Sequence, residues 1–206
     1  GKFNNKLNGT MSDLSTLSFF ANKIITTGEG GAILTNNKKL YEKCLEMRDH
    51  GMDKNKKYFH KYLGFNYRMT NLQAAIGLSQ IREIKSIIKK RRHQMSYYYK
   101  LLSNNKNFRL REFENWCKPV HWLTTIILEK KELRNKLINY LKQKKIDSRQ
   151  MVNPINDALH IKKLIKQKFP VADNISKRSI HLPSGLDLSK KDINYIVSML
   201  NSFFTK

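Results

Sequence analysis

The feature that most constrains the fold is an alternation of short apolar runs with longer amphipathic stretches in the second half of the chain. Residues 121–128 (HWLTTIIL) are a β-branched run typical of a buried strand. Residues 131–144 follow with helical spacing, and one face carries Leu133, Leu137, Ile138 and Leu141. Residues 146–152 are a second predicted strand, and Ser189 is the predicted N-cap of a last helix. This alternation predicts an α/β fold.

The first third of the chain contains further β-rich runs. Residues 14–20 (LSTLSFF) predict a buried strand. Residues 22–27 and 32–35 are two β-rich runs on either side of the glycine-rich break at 28–31 (GEGG). Two such runs around a glycine-rich turn predict a hairpin, in which the glycines permit positive φ.

A long helix is predicted between the two halves. Residues 50–71 form a polar and aromatic loop, and a helical pattern runs from residue 72 to about residue 102, with Thr70 or Asn71 as the candidate N-cap. We expect a domain boundary along this helix. The predicted domains cover residues 1–85 and residues 86–206, with 86–102 as the connecting helix.

The charge of the chain allows two interpretations. It carries 40 Lys+Arg against 16 Asp+Glu, a formal net charge of +24, which is the usual signature of a nucleic-acid-binding protein. The excess is mostly lysine, however, with 30 Lys and 10 Arg spread along the chain. No zinc-finger spacing, RNA-binding aromatic signature or GxxG loop accompanies it. We therefore favour a lysine-rich coding bias with solvated faces over a nucleic-acid surface.

Composition argues against several other classes. No apolar run approaches the roughly 18 residues that span a bilayer, so we expect no membrane partner. Cys44 and Cys117 lie far apart without a CxxC partner, which gives neither a disulfide framework nor a metal site. This cysteine usage is typical of a reducing compartment, and we expect a cytoplasmic location.

Lys23 is the first candidate for chemistry. It lies between an apolar run and a β-branched run and is followed by the glycine-rich break. A lysine that is partly desolvated in such a setting has a lowered pKa and is suited to Schiff-base chemistry. In a chain this rich in lysine, an exposed side chain without a function is the alternative.

Two longer segments carry a resemblance to a known family. Residues 18–32 (SFFANKIITTGEGGA) and residues 64–80 (GFNYRMTNLQAAIGLSQ) resemble the two signature segments of the DegT/DnrJ/EryC1/StrS family, the pyridoxal-phosphate-dependent nucleotide-sugar aminotransferases. Residues 48–51 (RDHG), 169–173 (FPVAD) and 182–183 (LP) match weaker marks in the same order. The sequence around Lys23 is most similar to that of perosamine synthase-like enzymes.

The resemblance implies a fold and a set of site residues. The fold would be α/β: the C-terminal part of a fold type I (aspartate aminotransferase-like) transferase, with a portion of the large domain followed by the small domain. Lys23 matches the catalytic lysine that binds pyridoxal 5′-phosphate covalently. Ser18 and Asn66 match residues that contact the cofactor phosphate, Asn66 from a loop that crosses to the neighbouring subunit. The substrate-binding candidates implied in the same way are Arg68, His50 and Arg149.

The resemblance also implies partners. The acceptor would be a nucleotide-linked 4-keto-6-deoxy sugar such as GDP-4-keto-6-deoxymannose, glutamate would be the amino donor, and a 4-amino sugar would be the product. A homodimer would share its active sites. Family members are nearly twice as long, and the elements that cradle the cofactor phosphate and pair with the pyridine nitrogen are not identifiable here. We therefore expect a complementing N-terminal chain or strong dimerisation, and a non-catalytic fragment or interaction partner is the alternative.

Overall fold

The computed structural model describes residues 1–165 and 167–205, and these divide into two compact units. Unit 1 comprises residues 1–88 and 114–119, and unit 2 comprises residues 89–113 and the chain from residue 120 onward. The helices are α1 (Lys38–Arg48), α2 (Asn71–Arg82), α3 (Ile84–Leu102), α4 (Leu133–Gln143), α5 (Leu159–Lys162), α6 (Pro170–Arg178) and α7 (Lys190–Phe204). The strands are β1 (Lys2–Phe3), β2 (Lys6–Leu7), β3 (Ser15–Ser18), β4 (Gly31–Leu34), β5 (Phe108–Leu110), β6 (Cys117–Lys118), β7 (Thr124–Leu128), β8 (Arg149–Gln150) and β9 (Ser179–Leu182).

The hairpin of unit 1 is not the predicted one. Strand β3 pairs antiparallel with β4, in a register that places Ser15 opposite Leu34 and Ser18 opposite Gly31. Residues 22–27, predicted as a strand, instead lie in the loop between β3 and β4. The prediction was wrong because the strand partner was assigned from sequence proximity, whereas the earlier run at residues 15–18 takes the pairing edge of β4.

The helices of unit 1 follow local sequence signals more closely. Helix α1 begins after Asn37, whose side-chain oxygen accepts hydrogen bonds from the amides of Lys39 and Leu40. Helix α2 begins after Thr70, which forms a capping box with Gln73. The predicted single helix over 72–102 is two helices, because α2 ends at Arg82 with Glu83 as its C-cap and α3 starts at Ile84.

Unit 2 contains the hydrophobic core. Its antiparallel sheet has the order β5-β7-β9-β8, and Ile126 and Ile180 lie opposite each other at its centre. Leu137 and Leu141 of α4 are fully buried in the same core cluster. Helix α7 starts with a capping box between Ser189 and Asp192, as its sequence predicted. Its buried face is formed by Ile193, Ile196, Val197 and Leu200.

Two elements of unit 2 differ from the sequence pattern. The strand predicted over 146–152 is confined to β8, Arg149–Gln150, which pairs with β9 at the edge of the sheet. Helix α6 was not predicted, although Pro170 at its first position is a common helix start.

Unit 1 has a different character. Of residues 1–88 and 114–119, all of which the structure describes, only Thr27 and Gly51 are buried. Large apolar side chains lie exposed, for example Leu72 at 80% and Ile76 at 51% on α2. No helix of the described residues has the length and apolar character needed to cross a bilayer.

Candidate functional site

Lys23 lies in the loop between β3 and β4, and backbone hydrogen bonds close that loop at its base. The Phe19 N–H donates to the Gly30 carbonyl at 2.9 Å, and the Thr27 N–H donates to the Phe19 carbonyl at 2.9 Å. The Lys23 N–H donates to the Phe20 carbonyl, also at 2.9 Å. The lysine is half-buried in this loop. The backbone that carries it is therefore fixed at three points.

A glutamine of α2 holds the same loop from outside. The Gln80 amide accepts from the Thr26 N–H at 3.0 Å and donates to the Thr26 carbonyl at 2.5 Å. Gln73 lies two turns earlier on the same face of α2, and its amide donates to the Glu29 carbonyl at 3.3 Å. Sequence reasoning missed both roles. The signal was available in the seven-residue spacing of two amide side chains on one helix face.

Glycines meet close approaches beside this loop. A Cβ on Gly31 would lie 2.6 Å from the Leu17 carbonyl oxygen, and one on Gly30 would lie 2.7 Å from the Thr27 hydroxyl. Gly77 of α2 packs against Thr27, where an added Cβ would meet the methyl group at 3.0 Å. Gly31 is thus needed for a close approach to the backbone of Leu17, and Gly30 and Gly77 for close packing around the side chain of Thr27.

Ser18 and Lys23 suit the cofactor that the resemblance implies. The Ser18 hydroxyl oxygen accepts from the Phe20 N–H at 3.3 Å, so its own proton is the part able to donate to a phosphate oxygen. A primary amine five residues away, on a loop fixed by the contacts above, is the group that reacts with an aldehyde. These residue types fit pyridoxal 5′-phosphate, which needs an amine for its aldehyde and hydrogen-bond donors for its phosphate.

A second loop contains His50, and its backbone has a structural role there. Helix α1 ends at Arg48, His50 has a left-handed φ of 61°, and the Gly51 N–H donates back to the Glu46 carbonyl at 2.9 Å. This is the longer of the two hydrogen bonds of a Schellman motif, with histidine where glycine is usual, while the His50 N–H donates to the Phe65 carbonyl at 3.0 Å. The His50 carbonyl is within 2.9 Å of His60 Nδ1. The backbone of His50 therefore ends the helix, and a substrate contact by its ring stays a prediction.

Asn66 and Arg68 lie beside the end of α1. Asn66 forms an isolated antiparallel bridge with Asp49, and the Tyr67 N–H donates to the Arg48 carbonyl at 3.0 Å. Arg68 Nη1 lies 3.4 Å from Asp49 Oδ2, and its side chain is 65% exposed. An exposed guanidinium with one loose carboxylate contact keeps donors available for an anion. The structure thus brings His50, Asn66 and Arg68 together around Asp49.

An apolar cleft of about 370 Å³ in unit 1 links the two loops. Phe19, which follows Ser18, lines it from the lysine loop, and Met69, which follows Arg68, lines it from the second loop. Ile25, Ala74, Gly77 and Ile81 complete much of its wall. The signature segments that were separate in sequence therefore share one packing surface.

Arg149 lies in unit 2, on the edge strand β8. Its guanidinium is 3.6 Å from Asp147 Oδ2, and both side chains are largely exposed. Directly opposite it on β9 is His181. Sequence reasoning singled out Arg149 but not this neighbour.

Known proteins with similar sequences include sugar-modifying enzymes and aminotransferases. GDP-perosamine synthase of Escherichia coli O157:H7 is 36% identical over 208 residues, which cover 99% of this chain and 55% of that enzyme. A protein described as a putative pyridoxal phosphate-dependent aminotransferase, EpsN of Bacillus subtilis, is 26% identical over 98% of this chain and 53% of its own length. The chain therefore spans about half the length of the curated relatives it matches.

A solved structure shows the same fold. Helicobacter pylori PseC, an aminotransferase involved in the biosynthesis of pseudoaminic acid, superposes with a TM-score of 0.89 at 26% identity, covering 100% of this chain and 57% of that one. The predicted fold class, a C-terminal part of an α/β fold type I transferase, is confirmed. The model of the DegT/DnrJ/EryC1/StrS aminotransferase family matches residues 1–201. This chain therefore belongs to the DegT/DnrJ/EryC1/StrS aminotransferase family.

Proposed function

We propose that this chain is the lysine-bearing part of a pyridoxal-phosphate-dependent aminotransferase that acts on a nucleotide-linked sugar. The observation that carries the proposal is the position of Lys23 on a loop closed by backbone hydrogen bonds and held by Gln80, five residues after Ser18 at the end of β3. A positioned amine and a phosphate donor on one loop are the two groups that this cofactor needs from it.

Each residue would have a limited task. Pyridoxal phosphate, when bound, supplies the electron sink for the reaction. Lys23 would hold the cofactor through its Nζ atom, and the same amine, once an amino donor has taken its place, would serve as the acid–base group that moves a proton. Positioned acid–base groups of this kind contribute roughly 10²–10⁴-fold in rate. Ser18 donates to the phosphate, and the fork of Arg68 binds an anionic group.

The substrates follow from the relatives. The name GDP-perosamine synthase, carried by the Escherichia coli and Vibrio cholerae relatives, supports a GDP-linked 4-keto-6-deoxy sugar as the acceptor, such as GDP-4-keto-6-deoxymannose, with a 4-amino sugar as product. We propose glutamate as the amino donor. Nucleotide-linked ketosugars fit as acceptors because their diphosphate would be attracted to a strongly basic protein.

The proposed active form contains more than this chain. Exposed apolar side chains on unit 1, among them Leu63 at 83% and Leu72 at 80%, support a large partner surface there. We propose a complementing N-terminal portion, corresponding to the part of the relatives that this chain does not match, and a homodimer in which Asn66 reaches the partner's cofactor. Two free cysteines support a reducing, cytoplasmic location.

A direct test uses the chain with pyridoxal phosphate, both alone and with the N-terminal portion of a relative supplied as a second chain. Borohydride reduction makes a lysine–cofactor bond permanent, and peptide mass analysis locates it. We expect the added mass on the peptide that contains Lys23, and its loss in Lys23→Ala. Lys38→Ala, which removes an exposed lysine at the start of α1, is the matched control and should retain the adduct.

Three results would count against the proposal. Labelling that is unchanged in Lys23→Ala would show nonspecific reaction of surface lysines, and no labelling in either setting would leave the non-catalytic fragment as the better interpretation. Binding to random DNA at micromolar concentration with a steep salt dependence would favour the nucleic-acid alternative instead.

A further inference from the structure

Three side chains lie in one row across the sheet of unit 2. Thr125 of β7 is directly opposite His181 of β9, and His181 is directly opposite Arg149 of β8. Side chains at directly opposite positions of antiparallel strands project from the same face. The core residues Ile126 and Ile180 alternate with them and therefore occupy the other face.

The row combines a fixed imidazole with an available cation. Thr125 Oγ1 and His181 Nδ1 are hydrogen-bonded at 3.0 Å, and Thr125 is only 8% exposed. The Arg149 side chain is 69% exposed, and its carboxylate neighbour Asp147 is 3.6 Å away and itself 81% exposed. An ion pair this open to water holds the guanidinium weakly.

The hydroxyl of Thr125 is compatible with both charge states of the ring. It donates to Nδ1 of the neutral imidazole, which leaves the proton on Nε2, and it accepts from Nδ1–H of the imidazolium. In either state Nε2–H remains a donor. The ring and the guanidinium of the next strand therefore offer N–H groups side by side on one face of the sheet.

We propose that Arg149 and His181, with Thr125 fixing the imidazole, form an oxyanion-binding site on unit 2 for a phosphate or carboxylate group. Arg149 supplies the charge and the planar fork, and His181 supplies a second donor. The site stands on residues of unit 2 alone and does not depend on cofactor binding at Lys23.

The proposal has a defined pH dependence. Burial, and after it the positive charge of Arg149, lowers the pKa of His181 below its ordinary 6.5, so the free ring is neutral at pH 7. On the face that carries His181, its neighbours across the sheet are the neutral Thr125 on β7 and Arg149 on β8, and Arg149 is paired with Asp147. Helix α4 packs on the other face through Leu137 and Leu141. A bound anion raises the pKa of the ring, so binding takes up a proton and tightens as the pH falls from 7 through the bound-state value.

The test measures the imidazole directly in the full chain by NMR, with the His181 signal assigned by its loss in His181→Gln. Inorganic pyrophosphate and glutamate are titrated separately, which distinguishes a phosphate from a carboxylate ligand. We expect the pKa of His181 to rise with at least one of them. Arg149→Ala should weaken that binding roughly tenfold to hundredfold, the range for one charge-assisted contact.

Controls separate the site from general surface charge. Arg109→Ala removes an exposed arginine from the same face at the opposite edge strand, beside Ile127, and should leave binding unchanged. His181→Gln should make anion binding less dependent on pH than it is in the native chain. Titration of the anion itself affects both proteins equally and cancels in this comparison. The proposal is overturned if neither anion shifts the His181 titration, or if Arg109→Ala weakens binding as much as Arg149→Ala.

Discussion

The side-chain amide of Gln80 forms two hydrogen bonds with the backbone of Thr26, one to its N–H at 3.0 Å and one to its carbonyl at 2.5 Å. An amide side chain that pairs with a peptide group in this way replaces the strand partner that the segment lacks. The loop containing Lys23 is thereby joined to α2, 54 residues later in sequence.

The first prediction removes this contact. Gln80→Leu keeps the apolar part of the side chain but leaves both Thr26 groups without a protein partner, at a cost of about 1–3 kcal/mol for a buried group. We expect faster hydrogen exchange at the Thr26 N–H and weaker cofactor labelling of Lys23. Gln150→Leu, on the exposed edge strand of unit 2, is the control. Unchanged exchange at Thr26 would show that the contact does not hold the loop.

The second prediction concerns the two ends of the glycine-rich segment. Gly31→Ala places a methyl group 2.6 Å from the Leu17 carbonyl, so the end of the β3–β4 hairpin must open. Gly28 has φ +79° and open space, so Gly28→Ala adds only backbone strain of about 1–2 kcal/mol. Hydrogen exchange at the Phe19 N–H should therefore be much faster in Gly31→Ala than in Gly28→Ala. Equal rates would contradict the close approach.

The third prediction tests the buried arginine of α3. Arg91 is 1% exposed, and its guanidinium donates to the carbonyls of His121 at 2.6 Å and Trp122 at 2.9 Å. Arg91→Met keeps much of the volume but removes both of these hydrogen bonds from a buried site, so we expect a loss of roughly 2–4 kcal/mol in the free energy of unfolding. Urea denaturation measures it. The control is Arg92→Met at the exposed neighbouring residue, for which we expect the free energy of unfolding to change by no more than about 0.5 kcal/mol. Equal losses in the two variants would contradict the prediction.

The fourth prediction concerns acid stability. The pKa of Asp192 is lowered below its ordinary 3.8 by hydrogen bonds from the Ser189 hydroxyl and then from the Ser189 N–H. Because the folded-state pKa is the lower one, this carboxylate stabilises the fold above pH 3.8, and the contribution disappears as the pH falls through the folded-state value. Asp192→Asn should therefore lose less stability than the native chain between pH 5 and about pH 2.

The measurement is the unfolding temperature as a function of pH. Asp157→Asn, which changes an exposed carboxylate in the turn Ile155–Asp157, is the matched control and should follow the native curve. A parallel decline in Asp192→Asn and the native chain would show that the capping box does not titrate in this range.

Local signals predicted the parts of the fold that depend on neighbours in sequence. The cap at Ser189 and the buried face that begins at Ile193 were both visible, because capping and helical periodicity involve residues within a few turns of one another. Helix α1 likewise starts directly after Asn37, whose side chain caps it. The break at Glu83 carries no proline or glycine and was not visible.

In the candidate site, too, local features were predictable from the sequence and long-range contacts were not. The residue types and spacing around Lys23 indicated the chemistry and the family. The lysine, the serine five residues before it and the glycine-rich segment all lie within fifteen consecutive residues. The sequence did not indicate that Gln80 would hold that loop, or that Asp49 would bring Asn66 and Arg68 together.

The amino-acid sequence by itself determined where α2 and α7 start, which face of α7 is buried, and which lysine is the candidate for covalent chemistry. Only the tertiary structure decided which strand pairs with β4, what fixes the lysine loop, and which histidine lies beside Arg149. The physical reason is that strand register and side-chain contacts with the backbone of distant segments are long-range. Their free energy is gained only once the chain has brought those segments together.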